Sequence, residues 1–237
     1  MEDEQKLKLL RLAINYASDL DEAKANVSFI LGDGSPIATC APRADKGDER
    51  TKAVKEDGVY IVTKGLPPVP FGAVGVVQNP EKCDVMVSYH GHEWVVAKEN
   101  LKGDELPLFS DDSHPEDTSS FYKREIEALN DFDMKSCTEH LRKAGIAFEL
   151  DADLYIPTAG QLAAMYLYRK ELNKALEMVG GTPMKEEEVY WSSSEVGANY
   201  SWYVYFNDGY VFNSHKYGSL YVRPCMPFEL KKKGFSK

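Results

Sequence analysis

The feature that most constrains the fold is a change in the spacing of apolar residues near residue 189. Upstream of it, Thr158 and Gln161 have the spacing of a helical capping box, and apolar residues then recur at helical intervals up to Gly180-Gly181. We therefore predict one helix over this stretch, ended by the two glycines. Downstream, apolar residues alternate, which is typical of strands. Helices and strands in separate blocks predict an α+β fold.

Four strands are predicted in the C-terminal part of the chain, at residues 190–195, 201–207, 210–213 and 220–223. Asp208-Gly209 separates the second strand from the third and predicts a two-residue type I′ hairpin turn. Strict alternation within residues 201–207 defines two faces. The core face holds Trp202, Val204 and Phe206, and the outward face holds Ser201, Tyr203, Tyr205 and Asn207.

The remaining elements are shorter. A helix is predicted at residues 6–25, a short strand at Val27–Leu31, and one or two helical segments within residues 120–145 that end at Gly145. Apolar runs predict a small antiparallel sheet, with Gly91 turning the chain, at residues 58–62, 73–77, 85–89 and 93–97. We therefore predict an accessory region of helix and sheet at residues 1–110, followed by a second domain at residues 111–237.

Residues 199–221 have an unusual composition. These 23 residues contain six of the 14 tyrosines, three asparagines, three serines and two glycines, and their only charged side chains are Asp208 and Lys216. Antibody paratopes have a similar composition, because tyrosine offers a large rigid contact area while serine and asparagine supply adaptable hydrogen bonds. A β-meander whose tyrosines only cover a sheet is the alternative, since tyrosine also favours strands.

Charge and cysteine content exclude several classes of function. A net charge of −10 argues against a nucleic-acid partner, and the basic run Lys231–Lys233 is interpreted as a solvated tail. The acidic start Met1–Glu4 is unlike a signal peptide, and no stretch of 18 apolar residues could span a membrane. The four cysteines are dispersed, which favours free thiols over metal ligands or disulfides: Cys40, Cys83, Cys137 and Cys225.

Catalytic and metal-binding motifs are weak. His90 and His92 could face the same side of a strand as metal ligands, but no third ligand accompanies them, and a turn is the favoured interpretation. Ser192–Ser194 lacks the glycines of a nucleophile elbow. We therefore expect no catalytic residue, no bound metal and no cofactor.

The C-terminal half carries a recognisable order of motifs over about residues 120–228. In sequence they are Tyr155–Leu162 (YIPTAGQL), Tyr190–Glu195 (YWSSSE), Ser201-Trp202, Phe206–Gly209 (FNDG) and Tyr221–Pro224 (YVRP). This order resembles a family of C-type lectin-like domain proteins from gut bacteria and their phages, which includes the variable proteins of diversity-generating retroelements. The resemblance implies a C-type lectin-like fold for residues 111–237 and a ligand-binding protein, not an enzyme.

The resemblance also implies which residues bind. In such proteins a fixed scaffold displays diversified positions near the C-terminus. Here these correspond to Asn199, Tyr200, Tyr203, Tyr205, Asn207, Tyr210, Phe212, Asn213, His215, Tyr217 and Ser219. Structural roles are expected for Trp191, Glu195, Trp202, Phe206, Val222 and Arg223. The calcium-binding motifs of sugar-binding relatives are missing, so we expect no calcium and no obligatory sugar specificity. Glu195 and Arg223 are predicted to form a half-buried ion pair between neighbouring strands.

The expected partner is a protein or glycan receptor on another cell or particle, with a homo-oligomer as a further expectation. Synthesis in the cytoplasm and assembly into a phage virion would fit a chain of this kind. One alternative is a structural subunit of a phage tail or surface assembly. Another is an oxidase related to the formylglycine-generating enzymes, which share this fold class and for which Cys225 would be the candidate thiol.

Overall fold

The computed structural model describes residues 56–228, except residue 65 and residues 102–104 and 111–120. The chain divides into two compact units, residues 1–52 and 53–237, and every described residue belongs to the second. The predicted helix at residues 6–25 and the predicted strand at Val27–Leu31 lie outside the described residues. Helices and strands are both present in the described unit, which confirms the α+β class.

The first of two sheets is antiparallel throughout and has the strand order β10-β4-β3-β1-β2. Its strands are β1 (Gly58–Thr63), β2 (Val69–Pro70), β3 (Cys83–Tyr89), β4 (His92–Val96) and β10 (Cys225–Pro227). Strand β10 comes from the C-terminal end of the described chain and pairs with β4. This sheet therefore joins residues from both predicted regions, while their division at residue 110 stays a prediction.

The β3–β4 hairpin confirms the predicted turn at Gly91. His90 and Gly91 have φ angles of 49° and 80°, and the flanking residues Tyr89 and His92 are paired. Positive φ at both turn residues matches the right-handed twist of the strands. The predicted strand at residues 73–77 is wrong: residues 71–73 form a 3₁₀ turn, and residues 74–77 belong to no strand. Val76 there is 85% exposed, so no burial favours an extended conformation.

Four α-helices lie within residues 125–178 of the described chain. They are α1 (Glu125–Leu129), α2 (Met134–Ala144), α3 (Ala159–Leu167) and α4 (Arg169–Met178). Helix α2 begins where the Asp133 side chain accepts a hydrogen bond from the Ser136 backbone N–H, and it ends at Gly145, whose φ is 99°. This end confirms the predicted stop, because glycine adopts the left-handed conformation without steric cost.

The capping box that opens α3 is present, with reciprocal bonds between Thr158 and Gln161. The single helix predicted to follow is wrong, because Tyr168 has φ −97° and ψ 12° and separates α3 from α4. The break has a packing reason. Helix α3 packs against two strands of the second sheet, β6 (Val189–Gly197) and β7 (Tyr200–Tyr205), whereas α4 packs against β1 and β3 of the first.

The second sheet has the order β5-β9-β6-β7-β8. Its strands are β5 (Glu105–Leu106), β6 (Val189–Gly197), β7 (Tyr200–Tyr205), β8 (Val211–His215) and β9 (Leu220–Tyr221). The β6–β9 pair is parallel and the others are antiparallel. Strand β8 is an edge of this sheet among the described residues. Trp191 of β6 belongs to a core cluster with Leu108, Phe109, Leu141, Ile156 and Val222.

The turn between β7 and β8 differs from the predicted type I′ turn. Only Gly209 has positive φ, at 77°, and its N–H donates to the C=O of Tyr205 four residues earlier at 2.8 Å. The Asp208 carboxylate accepts from the Tyr210 N–H at 2.9 Å. A longer loop forms because Phe206 stays buried and Tyr166 packs against Gly209, where a Cβ atom would lie 2.2 Å from Tyr166 Cε1.

The helices of the described part of the chain are too short, or too polar, for any of them to cross a membrane.

Candidate functional site

The predicted core face of β7 is buried as expected. Trp202 is 6% exposed, and Val204 and Phe206 are fully buried. The Trp202 indole N–H donates to the Tyr122 C=O at 3.0 Å, which satisfies its polar atom inside the protein. This face therefore anchors the strand that carries the predicted display residues.

The opposite face of β7 is only partly outward. Ser201 is fully buried and donates to the Ser194 C=O at 2.9 Å, so its predicted outward position is wrong. Tyr203 is half-buried because its ring meets Trp191 of the neighbouring strand at 6.4 Å, and this burial raises the Tyr203 pKa. Tyr205 is half-buried as well, whereas Asn207 is exposed.

The β7–β8 register divides the predicted surface into two. Tyr203 pairs with Phe212, and Tyr200 pairs with His215. Paired residues share a face and alternate residues change face, so these two pairs lie on opposite sides of the β7–β8 ribbon. A single continuous outward face is therefore wrong. We name the first set the Phe212 group (Tyr203, Tyr210 and Phe212) and the second the His215 group (Tyr200, His215 and Tyr217).

The Phe212 group is a ladder of rings that becomes more exposed toward the hairpin turn. Tyr203 and Phe212 meet edge to face at 6.4 Å, and Tyr210 and Phe212 stack at 5.7 Å with an interplanar angle of 18°. Phe212 is 47% exposed and Tyr210 is 56% exposed. Its outer end therefore presents two neighbouring rings to solvent.

The His215 group is held together more tightly. The Tyr200 hydroxyl hydrogen-bonds to His215 Nε2, and the two rings are 3.9 Å apart between centroids. The His215 ring is also 4.7 Å from the Tyr217 ring. Tyr200 and Tyr217 remain 37% and 46% exposed, so the imidazole lies between two accessible phenol rings.

The other predicted display residues divide by exposure. Asn199 and Ser219 are exposed, whereas Asn213 is half-buried and pairs with Trp202. Asn199 also has a backbone role, because its C=O accepts from the Lys216 N–H at 2.9 Å.

Aromatic exposure is concentrated at this hairpin. Eight large hydrophobic side chains are exposed among the described residues, and the four aromatic ones are Tyr200, Tyr210, Phe212 and Tyr217. The other four are aliphatic and lie elsewhere in the sequence: Leu66, Val69, Val76 and Leu167. Contiguous exposed aromatic residues are typical of interaction surfaces, whereas single exposed aliphatic residues are ordinary.

A buried charge cluster supports the turn that carries the His215 group. Glu195 is 2% exposed, and its two carboxylate oxygens contact Lys216 Nζ and His140 Nδ1. Lys216 is buried too and also donates to the Ala198 C=O at 2.8 Å. Burial lowers the pKa of Lys216, and the Glu195 carboxylate opposes that shift. The cluster thus fixes a residue that lies between His215 and Tyr217.

The predicted ion pair between Glu195 and Arg223 is wrong. Parallel pairing aligns Tyr190 with Tyr221. Glu195 lies five residues after Tyr190, whereas Arg223 lies two residues after Tyr221. This difference of three residues separates the two side chains by roughly 10 Å along the strand direction. Arg223 is instead completely buried among neutral acceptors. It donates to Asn100 Oδ1 and to the backbone C=O groups of Ala97, Lys98, Thr182 and Pro183, at 2.7–3.3 Å.

Three of the four cysteines lie in the described part of the chain. Cys83, Cys137 and Cys225 are free and buried, as predicted for these three, and Cys40 lies outside the described residues. Burial raises the pKa of the Cys225 thiol, which disfavours the reactive thiolate.

The paired histidines have a different environment from the one a metal site needs. The His92 ring stacks on Phe132 at 4.5 Å. Within the described ranges, no three His, Cys, Asp or Glu side chains form a metal-binding group. The aromatic rings and neutral hydrogen-bonding groups of the described hairpin can make non-covalent contacts with a ligand.

Sequence reasoning missed His140 and Lys216 as supports of this surface. Lys216 carried a signal, since it is one of only two charged residues in a 23-residue stretch. A lone cation in such a stretch needs a buried partner if the strand is packed. His140 carried none, because its partner is 55 residues away in sequence.

Comparison with known proteins adds little to this description. No family model and no curated protein matches the chain. Among solved structures it is similar to the crystal structure of a fimbrial protein from Bacteroides ovatus, with 17% sequence identity and a TM-score of 0.36. The match covers 58% of this chain and 36% of the fimbrial protein, so the chain spans about a third of that protein's length.

Proposed function

We propose that this protein is a non-covalent receptor binder that contacts its ligand through the β7–β8 hairpin and the turn that follows. The observation that carries the proposal is the exposure of Tyr200, Tyr210, Phe212 and Tyr217 on one hairpin and its adjoining turn. Covering these rings would remove apolar area from water at about 25 cal/mol per Å², and the hydroxyls of the three tyrosines could still hydrogen-bond to the ligand.

The low formal charge of residues 199–221 supports the same proposal. Within residues 199–221 the Lys216 charge is buried against Glu195, and Asp208 is the one exposed formal charge. Charged groups are depleted from the centres of binding surfaces because they lose hydration when a partner covers them.

A C-type lectin-like scaffold with diversified display positions is the form of binder that we propose. Seven of the predicted display residues are exposed: Asn199, Tyr200, Asn207, Tyr210, Phe212, Tyr217 and Ser219. The expected scaffold residues Trp202, Val222 and Arg223 are buried. Substitution at the exposed positions would change the surface and leave the packing intact, which is what a diversified binder requires.

The proposal is tested by labelling the full chain and measuring its binding to a panel of intact gut bacteria by flow cytometry. Wild-type protein should bind at least one strain, and Tyr210→Ser/Tyr217→Ser should weaken that binding by tenfold or more, the order expected for aromatic hot spots. Leu66→Ser/Leu167→Ser is the matched control, because it removes exposed apolar side chains elsewhere and should bind as wild type.

Both variants should melt at the wild-type temperature, since the substituted side chains are exposed. Equal loss of binding in the two variants would show nonspecific adhesion and refute the proposal. A defined oligomer that buries Tyr217 and binds no cell would instead favour a subunit of a phage tail or surface assembly.

A further inference from the structure

Strand β8 has a backbone edge that no other described strand covers. It lies at the end of the second sheet and pairs only with β7 among the described residues. Its five residues, Val211–His215, include no lysine, no proline and no bulge. Those are the features with which sheet proteins usually protect an edge from pairing with another chain.

The hydrogen bonds at the two ends of the hairpin show which backbone groups face outward. The Tyr205 N–H donates to the Tyr210 C=O at 2.9 Å, and the Lys216 N–H donates to the Asn199 C=O at 2.9 Å. The register between these bonds is continuous. In an antiparallel pair, hydrogen-bonded positions alternate with positions whose N–H and C=O point away from the partner.

The hydrogen bonds at both ends of the hairpin imply the same alternation of inward and outward backbone groups along β8. Phe212 and Ser214 direct their N–H and C=O groups to β7, and Val211 and Asn213 direct theirs to the open side. The outward C=O of His215 accepts from the Gly218 N–H at 2.8 Å, which closes the far end of the edge. Within the described chain, the outward backbone groups of Val211 and Asn213 have no hydrogen-bonding partner; Asn213 is the more accessible of the two, being half-buried where Val211 is 5% exposed.

The open edge lies between the two aromatic groups. The Phe212 group is on one side of the β7–β8 ribbon and the His215 group is on the other. A compact ligand resting on one side would contact only one group. A strand added beside β8 would direct alternate side chains to the two sides, so it would contact both.

We infer that β8 receives an extended segment of a partner protein as an additional β-strand of the second sheet. The inference rests on the proposed binding function and names the ligand class: a proline-free polypeptide with apolar or aromatic side chains at alternate positions. Backbone bonds to Val211 and Asn213 hold it, and rings on both sides select its side chains. The net charge of −10 disfavours an acidic segment.

The test uses linear peptides selected from a display library on the full-length chain, with affinities measured by fluorescence anisotropy. Asn213→Pro removes the outward N–H and places a ring on the edge. It should keep the fold, because β7 does not use that N–H. Affinity should fall about tenfold or more. Asn213→Ala is the matched control, since it removes the side chain, retains the N–H and should bind within about threefold of wild type.

Amide hydrogen exchange on wild-type protein provides a readout that does not depend on the proline variant. Bound peptide should slow exchange at the Val211 and Asn213 amides, and methylating alternate peptide nitrogens should abolish binding. Peptides that bind without protecting these amides would overturn strand addition and leave the aromatic binding surface in place. Strand addition would also be overturned if the library gave no peptide ligand and a glycan array gave ligands instead. In that case the glycans should bind wild-type protein and should not bind Tyr210→Ser/Tyr217→Ser.

Two other outcomes also contradict the inference. Concentration-dependent protection of the same amides without peptide would assign the edge to a second copy of the chain. Failure of peptides, glycans and whole cells alike to bind would remove the proposed function itself.

Discussion

Two cations, Arg223 and Lys216, lie buried in the described part of the chain, and the protein compensates them in different ways. Arg223 donates to neutral oxygen atoms of five residues: Ala97, Lys98, Asn100, Thr182 and Pro183. Lys216 contacts the Glu195 carboxylate, which also contacts His140. The planar guanidinium suits several carbonyl groups at fixed angles, whereas the compact ammonium suits one carboxylate.

The two centres therefore stabilise different parts of the protein. Arg223 joins two loops that contribute no residue to the aromatic hairpin, so its role is structural. Lys216 lies within the turn that positions Tyr217 and His215, so its pairing with Glu195 supports the proposed binding surface directly. Because both partners of this pair are buried, it supports the turn and adds no charged side chain to the exposed surface.

The largest effect is expected at Arg223. Arg223→Ala would leave several buried carbonyl groups without donors, which should lower the free energy of unfolding by about 4 kcal/mol. Urea denaturation followed by circular dichroism measures this change. Arg223→Lys should recover only part of the loss, because three donors on a flexible stem cannot reach all five oxygens. A stability within about 1 kcal/mol of wild type for Arg223→Ala would contradict the assignment.

A double-mutant cycle at the second centre should show a somewhat smaller effect and strong coupling. Glu195→Gln leaves Lys216 buried without a counter-charge and should cost about 3 kcal/mol. Lys216→Met should also destabilise the protein, because the Glu195 carboxylate then loses its contact with Lys216 and retains the one with His140. The double variant should lose less free energy of unfolding than the two single variants lose in sum, by 1 kcal/mol or more. Additive losses in the same urea assay would show that the contact between the two side chains contributes nothing.

The contrast between these centres also shows which features the sequence could reveal. The capping box at Thr158, the turn at Gly91 and the buried alternation of Trp202 with Val204 are local patterns, and the structure confirms them. Local hydrogen bonding and side-chain period determine each of them, so a few neighbouring residues carry the signal. The helix break at Tyr168 was missed because it depends on which sheet each helix packs against.

The charged contacts could not be predicted from the sequence, because they too depend on tertiary structure. Pairing Glu195 with Arg223 required the register of the parallel β6–β9 pair, which no short pattern specifies. The division of the aromatic residues between two sides likewise depends on the β7–β8 register, in particular on the pairing of Tyr200 with His215. Composition drew attention to this hairpin, and the arrangement of its side chains on two sides came only from the structure.

The smallest expected effect is a local change in amide hydrogen exchange, which should differ between the surroundings of Lys216 and those of Arg223. Lys216→Met should open its own turn, so the Gly218 amide, which donates to the His215 C=O, should exchange with solvent faster relative to the rest of the sheet. The Thr182 amide, which donates to the Lys98 C=O near Arg223, should keep its wild-type rate. Arg223→Lys should produce the reverse pattern. Hydrogen exchange measured by mass spectrometry under native conditions resolves both segments, and uniform acceleration in either variant would show that the centres act as one unit.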